Sequence, residues 1–377
     1  MTLALHAHQF DAVAAAHDVA PNLEGRAAAA DRGEATLAAD LEDLHMAGLT
    51  RAPLGVFAGG VGLCWQPGAV AAGVDVLRVL GRANLAVARL FEGHVNAVKL
   101  VTLYGTAATQ ARVARAVRGG ALMGVWSANG VRPVTLREER AGIILDGRKR
   151  FASGLGLVSL AVISATDGNG ATRLVLAPAD DARRADESSW KVSGMRATAS
   201  GDFDTSGLEL DFDALLGGPD DYYCEPHFQG GVWRYAAAQL GAIEALVEAM
   251  RADLAARGTL SDPHQAARFA RAAMACETAR LWVREAALAV EAPDADPSSA
   301  TRAVLARLAV ARAATDTMAG VDRALGTAAH FLGHPVERIR RDLSFYLRQT
   351  SPDDALHAAS LALAARAGPV GDFWTAP

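Results

Sequence analysis

Twice along this chain the spacing of apolar residues changes, and those two changes constrain the fold more than any single motif. From residue 7 to 119 the sequence is alanine-rich with helical spacing. The clearest case is "NLAVARLFEGHVNAVKLVTLYG" (84–105), where Leu85, Ala88, Leu90, Val95, Val98, Val101 and Leu103 recur every three or four positions. "TAATQARVARAVRGG" (106–120) follows and stops at a glycine pair suited to a helix C-cap. A glycine-rich loop, "PLGVFAGGVGLCWQPG", lies between about 53 and 73. At about 121 the pattern becomes short runs of Val, Ile and Leu: "LMGVWSANG", "GIILDGRKRFASG", "LVSLAVISA", "TRLVLAP" and "LELDFD". They are punctuated by the turn signals "DG" (146–147) and "DGNG" (167–170). From about 229 helical spacing returns, in "GGVWRYAAAQLGAIEALVEAMRADLAAR", then 264–291 after the start signal Asp262-Pro263, then 300–330, 335–349 and 352–367.

This order predicts an α+β, mainly α protein. Strands that follow one another without intervening helices favour an antiparallel sheet. The expected layout is an N-terminal helical domain (1–120), a middle antiparallel β domain (121–222) and a C-terminal four-helix bundle (223–377).

At 377 residues the chain is long enough for a large core. Half of it, 51%, is hydrophobic and 21% charged, the balance of a globular protein. A net charge of −5 argues against a dedicated nucleic-acid or anionic-membrane surface. Cys64, Cys224 and Cys276 are odd in number and far apart, with no CxxC pair. They indicate neither a disulfide framework nor a zinc ribbon, and point to the reducing cytoplasm. The N-terminus lacks a basic region and soon meets Asp11, so it does not read as a signal peptide. No uncharged apolar run reaches the roughly 18 residues of a membrane span.

There is no GxGxxG after a strand, no GxxxxGK[ST] and no GxSxG elbow. His6 and His8 read as exposed terminal residues, and His330 and His334 are interrupted by Gly333 and Pro335, so no metal site is expected.

Four segments, in this order, carry a resemblance. They are "EGHVNAVKLVTLYGTAATQARVARAVRGGALMGVWSANG", "LDGRKRFASGLGLVSLAVISA", "HQAARFARAAMACETARLWV" and "RALGTAAHFLGHPVERIRRDLSFY". The chain resembles the acyl-CoA dehydrogenase superfamily of flavoproteins from about residue 30 to 350. The resemblance implies one FAD per subunit and a homodimer or homotetramer, in which the segment matching 323–342 reaches a neighbour's cofactor. Phe151 and Ser153 take the places of the aromatic that covers the flavin and the hydroxyl near its N5. Strand alternation would point both the same way. Read without the resemblance they are a buried Phe and a turn Ser in an ordinary hairpin. Trp126 and Ser127 match a flavin-lining strand, but the following acidic-Pro-Gly-Ser-Asp loop is replaced by "SANGVRPV". Gln265 matches a polar residue near the cofactor's ribityl-pyrophosphate. Arg257 stands for an arginine of a turn that is shortened here. Arg323, Gly326 and Thr327 fall where the family has a glutamine and two glycines; Arg323 reads equally as a pyrophosphate ligand or a solvated helix-end cation.

The family's catalytic base, a glutamate, would fall at Thr350, or in some members near Trp233. Neither is a carboxylate. Glu225, Asp353 and Asp354 are the nearest candidates in sequence, with the two aspartates also suited to capping a helix. Glu337, Arg341 and Asp342 read as a structural ion-pair network. Three functions remain open: an FAD-dependent oxidoreductase acting on an acyl thioester or related carbonyl compound, a flavin-dependent monooxygenase on the same fold, and a non-catalytic flavin-binding scaffold.

Overall fold

The computed structural model describes residues 10–349 and 351–374, so Thr350, His6 and His8 lie outside the described residues. Among the described residues five α-helices come first: α1 (Ala12–Asp31), α2 (Ala38–Met46), α3 (Val70–Ala83), α4 (Leu85–Tyr104) and α5 (Ala107–Arg118). Local chemistry sets their ends. Asn84 Oδ1 accepts from the Ala86 amide at 3.1 Å and Thr106 Oγ1 from that of Thr109 at 3.2 Å, each meeting an orphan donor of a first helical turn.

Ten strands follow: β1 (Met123–Trp126), β2 (Thr135–Glu139), β3 (Gly142–Asp146), β4 (Arg148–Ala152), β5 (Leu160–Thr166), β6 (Thr172–Pro178), β7 (Ala185–Asp186), β8 (Gly201–Asp204), β9 (Leu208–Leu210) and β10 (Leu215–Leu216). The larger sheet has the order β10-β6-β5-β2-β3-β9, with β1 also on β5, and the smaller has β4-β8-β7. The expectation of an antiparallel sheet needs correction, because β1 and β2 both run parallel to β5. Between β1 and β5 the chain completes the β2–β3 hairpin and crosses into the smaller sheet as β4. It therefore re-enters at the end from which β1 started. Gly147 makes that crossing: its φ is +128°, and a Cβ there would lie 2.4 Å from the Pro133 carbonyl oxygen.

The C-terminal region holds α6 (Trp233–Ala256), α7 (Pro263–Val290), α8 (Ser299–Leu325), α9 (Pro335–Tyr346) and α10 (Pro352–Ala364). Asp262 Oδ1 caps α7 by accepting from the His264 and Gln265 amides, both at 3.0 Å, and Pro263 takes the first helical position. Glycines let α3 and α6 cross closely. A Cβ on Gly241 would stand 2.1 Å from the Arg78 carbonyl oxygen, and one on Gly81 2.1 Å from that of Ala238. One hydrophobic core joins the three regions, through Leu77, Phe91, Leu145, Phe203, Ile243 and Leu343 among others. His94 fixes α4 against β1. Its Nε2 donates to the Thr50 carbonyl at 2.6 Å and its Nδ1 accepts from the Met123 amide at 3.0 Å. Burial pushes its pKa down to about 4, which keeps the ring neutral as those two bonds require.

Candidate functional site

Where α4 faces the ends of β1 and β5, the 222–235 segment, α8 and the start of α10 enclose a cavity of about 740 Å³. Helical spacing places Arg89, Glu92, Asn96 and Lys99 along one face of α4, and all four line it. Arg89 donates to Glu92 at 2.7 Å, and the Asn96 amide also donates to Glu92. Beyond them lies Glu291, just past α7. It accepts from Lys99 Nζ at 2.6 Å, from Trp233 Nε1 at 3.1 Å and from the Arg234 guanidinium. Burial is the largest influence on both Lys99 and Glu291, with opposite outcomes. The Lys99 ammonium is brought down to about 8, while Arg234 and Lys99 together hold the Glu291 carboxyl below its ordinary value despite burial. Opposite this polar wall stand aromatic rings. Tyr222 and Tyr223 each pack on Phe228 with centroids 5.0 Å apart, and Tyr235 has a buried hydroxyl without a hydrogen-bond partner among the described residues.

The sheet side of the cavity is built around a buried lysine. Lys149, at 0% exposure, donates to the Ser127 carbonyl at 3.0 Å, to Asn129 Oδ1 at 2.7 Å and to Ser164 Oγ at 3.0 Å. Ser127, Asn129 and Ser164 all line the cavity.

The residues singled out from sequence fall into two groups. Trp126, Ser127, Phe151 and Ser153 come together in the β region. Trp126 is only 2% exposed; its ring packs on Phe203 at 4.9 Å and its Nε1 donates to the Ser153 carbonyl at 3.1 Å. Its side chain is therefore turned into the core. Simple alternation does not govern Phe151 and Ser153. The β4–β8 register shifts between Lys149 and Ala152, and Phe151 has φ +56°. That bulge turns the Phe151 ring outward, so the reading of a buried Phe is also corrected: it is 51% exposed. Its edge meets Trp190 at 6.3 Å, and Trp190 in turn meets Phe345 of α9 at 5.4 Å. Ser153 Oγ accepts from the Ser200 hydroxyl at 3.1 Å. An outward aromatic wall beside a hydroxyl suits a planar ring with hydrogen-bonding edges.

The second group is Gln265 with the turn after α8. Gln265 Nε2 donates to the Ala324 carbonyl at 3.4 Å, beside exposed Arg323, Gly326 (φ +65°) and Thr327. Arg257 joins neither group, being ion-paired with Asp253 at 2.7 Å one turn back on α6.

Near the C-terminus the charges serve structure. Arg341 binds Glu337 at 2.5 Å and Asp31 of α1 at 2.7 Å. Asp342 instead accepts from the Met195 amide at 2.6 Å and lies 3.7 Å from Arg338; burial raises its pKa to about 6. Gln349 and Ser351, on either side of position 350, line the cavity. Glu225 does not; its carboxylate accepts from the Gln229 amide at 3.0 Å. Asp353 and Asp354 occupy the first turn of α10, and Asp354 borders the cavity.

Sequence reading missed Lys99, Asn129, Lys149, Ser164, Arg234 and Glu291. The available signal was charge at core positions: Glu92 and Lys99 sit seven apart within the apolar stripe of α4. Among the described residues, no group of three or more His, Cys, Asp or Glu is placed to hold a metal, and no helix is long and apolar enough to cross a membrane.

No protein-family model matches the sequence. The chain is 25% identical over 227 residues to dibenzothiophene monooxygenase of Rhodococcus qingshengii, the match covering 56% of this chain and 52% of that protein. The same figures hold for the enzyme of Rhodococcus erythropolis. The chain thus spans about half the length of the curated relatives it matches. Among solved structures, the complex of TdsC from Paenibacillus sp. A11-2 with FMN and indole superposes with a TM-score of 0.83 at 20% identity, covering 97% of this chain and 100% of that one. Butyryl-CoA dehydrogenase from Megasphaera elsdenii gives 0.83 at 17% identity over the same shares. Methanesulfinate monooxygenase MsuC from Pseudomonas fluorescens gives 0.79 at 18%, covering 96% and 99%. The fold is therefore that of the acyl-CoA dehydrogenase-like flavoproteins: helical N-terminal, middle β and helical C-terminal regions.

Proposed function

We propose that this protein is a flavin-dependent oxidoreductase of the monooxygenase kind, oxidising a compact, largely aromatic substrate in the cavity beside Ser127, Asn129 and Ser164. The observation that carries this reading is the state of the cavity's carboxylates. Glu92, on the cavity wall, is held by Arg89 and Asn96, and Glu291 behind it by Lys99, Arg234 and Trp233. His227 also lines the cavity, but burial lowers its pKa and makes it a weak base, and Asp354 borders it from the exposed first turn of α10. The site therefore has an aromatic wall and polar donors but no buried carboxylate free to take a proton. Dibenzothiophene, in the name of the relatives, and indole, bound in a TdsC complex, set the first compounds to try.

The isoalloxazine would rest on Phe151 with Ser153 and the main chain of 126–127 at its edge, and when reduced it supplies the activation of dioxygen. The chain's own contribution is enclosure and orientation. The Trp126–Phe203 pair packs in the core behind Ser153, Asn129 and Ser164 lie on the polar wall, and Tyr222, Tyr223 and Phe228 bound the apolar side. Both FMN and FAD suit the ring site. The nucleotide half of FAD would call on Arg323 and the Gly326–Thr327 turn, since Arg257 is occupied by Asp253. Chromatography of the flavin released from the purified protein tells the two apart.

The expected result is that a reductase-fed flavin and labelled dioxygen yield labelled oxygen in the product from dibenzothiophene or indole. Anaerobic bleaching of the flavin by an organic substrate alone would sink the monooxygenase reading. Ser153→Ala is expected to weaken flavin binding by on the order of 1 kcal/mol, one hydrogen bond's worth. Unchanged flavin titrations for both Ser153→Ala and Phe151→Ala would dismiss the ring site.

We also propose a homo-oligomer, a dimer or a dimer of dimers. On α7, Met274, Leu281 and Leu288 are exposed and seven residues apart, which makes an apolar stripe along one helix face. Sedimentation at micromolar concentration should show at least a dimer, and Leu281→Glu should dissociate it; a flavin-loaded monomer would refute the proposal.

A further inference from the structure

The lysine under the cavity wall has a role that follows from valence. An ammonium carries three N–H donors and no acceptor. Lys149 spends all three, on the Ser127 carbonyl, Asn129 Oδ1 and Ser164 Oγ. The amide oxygen of Asn129 must therefore face inward. The Val134 amide fixes it further by donating to the same oxygen at 3.4 Å. Ser164 has no spare proton either, because its hydroxyl donates to the Ser127 carbonyl at 3.1 Å. Of the three groups that Lys149 holds, the one that can still donate to the cavity is the NH₂ of Asn129; the Ser127 side chain, also on this wall, is paired with Tyr222.

We infer that Lys149 is a positioning residue that holds the Asn129 carboxamide with its NH₂ toward the cavity, so that this site selects ligands presenting a hydrogen-bond acceptor, such as a carbonyl or an oxidised-sulfur oxygen. The inference rests on the cavity being the substrate site. It assigns that site a substrate class, aromatic compounds with an acceptor oxygen or sulfur-bound oxygen, which the fold alone leaves open.

The charges around Lys149 do not compete for it. On the packed strand β8, Asp202 and Asp204 face Arg148, at 3.9 and 3.2 Å. Among the described residues no carboxylate lies within 4.0 Å of Lys149; burial alone brings the ammonium down to about 7. Above that pH the amine gains a lone pair, and the Asn129 amide is free to turn over.

Equilibrium dialysis of the purified protein with fluorenone and with fluorene tests this, because the two differ by one acceptor oxygen. At about pH 6 fluorenone should bind roughly five- to tenfold tighter, the value of one hydrogen bond. The preference should shrink toward unity as pH rises through about 8. Asn129→Asp lies at the cavity surface, keeps an acceptor for Lys149 and removes the NH₂, so it should abolish the preference. Lys149→Met should leave a weaker, pH-independent one. Equal binding of the two probes by the unmodified protein, a preference that survives Asn129→Asp, or one that ignores pH in the unmodified protein overturns the inference. The flavin reading has its own spectral and labelling test, so the two can fail separately.

Discussion

Glu291→Gln is expected to destabilise the folded chain by about 3–5 kcal/mol, the cost of leaving buried charge without its partner. Glu291 stands between two cations. The side chains of Lys99, Arg234 and Glu291 are 6%, 2% and 3% exposed, so water screens none of them. Glutamine keeps the shape and can still accept from Trp233 Nε1. It cannot neutralise either cation, and its NH₂ must face one of them. The three residues come from α4, α6 and the end of α7, so their separation also loosens the seam between the N-terminal and C-terminal helices. Urea denaturation measures the loss as a lower midpoint at constant slope. Adding Lys99→Met to Glu291→Gln should recover part of it, because one buried cation then remains instead of two. A loss under about 1 kcal/mol for the single variant would mean that water reaches the pair in solution.

The sequence reveals most where one local rule acts alone. Apolar spacing placed α4 and α7 almost to the residue, because Asn84 and Asp262 are strong caps and the buried stripe is long. It gave the wrong direction for β1 and β2 against β5, since pairing direction depends on the route between strands and not on either strand's residues. It misjudged Phe151 because a bulge replaces period-two alternation there, and nothing in "GRKRFASG" announces a bulge. Lys149 and Glu291 escaped notice for a different reason. A charged residue beside an apolar run is usually solvent-facing, and only the three-dimensional arrangement shows that acceptors or cations have been brought to meet it.

Mixing the flavin-loaded protein with saturated acyl-CoAs in the absence of oxygen is expected to leave the flavin spectrum unchanged. Dehydrogenation of an acyl thioester begins with loss of its α-proton, and a positioned base contributes roughly 10²–10⁴-fold to such a step. The residue at 350 is threonine, which has no basic group at neutral pH, and the position near Trp233 supplies none either. The structure adds that the neighbouring carboxylates are committed. Glu291 is held ionised by two cations and an indole N–H; Glu92 accepts hydrogen bonds from Arg89 and Asn96, and Glu225 caps the turn before α6. Asp354 borders the cavity but sits exposed in the first turn of α10, where water solvates it and no contact aims it at a substrate carbon. The loop that would seat the thioester is also replaced, by "SANGVRPV", whose Asn129 is tied to Lys149. Base and seat are separate requirements of one reaction, so restoring one alone should give a partial gain. Thr350→Glu is therefore expected to create slow bleaching with some acyl-CoA, while still binding it weakly. Turnover of common acyl-CoAs by the unmodified protein, at about 1–10³ s⁻¹, would defeat the argument, because a base outside the residues named here would then be at work.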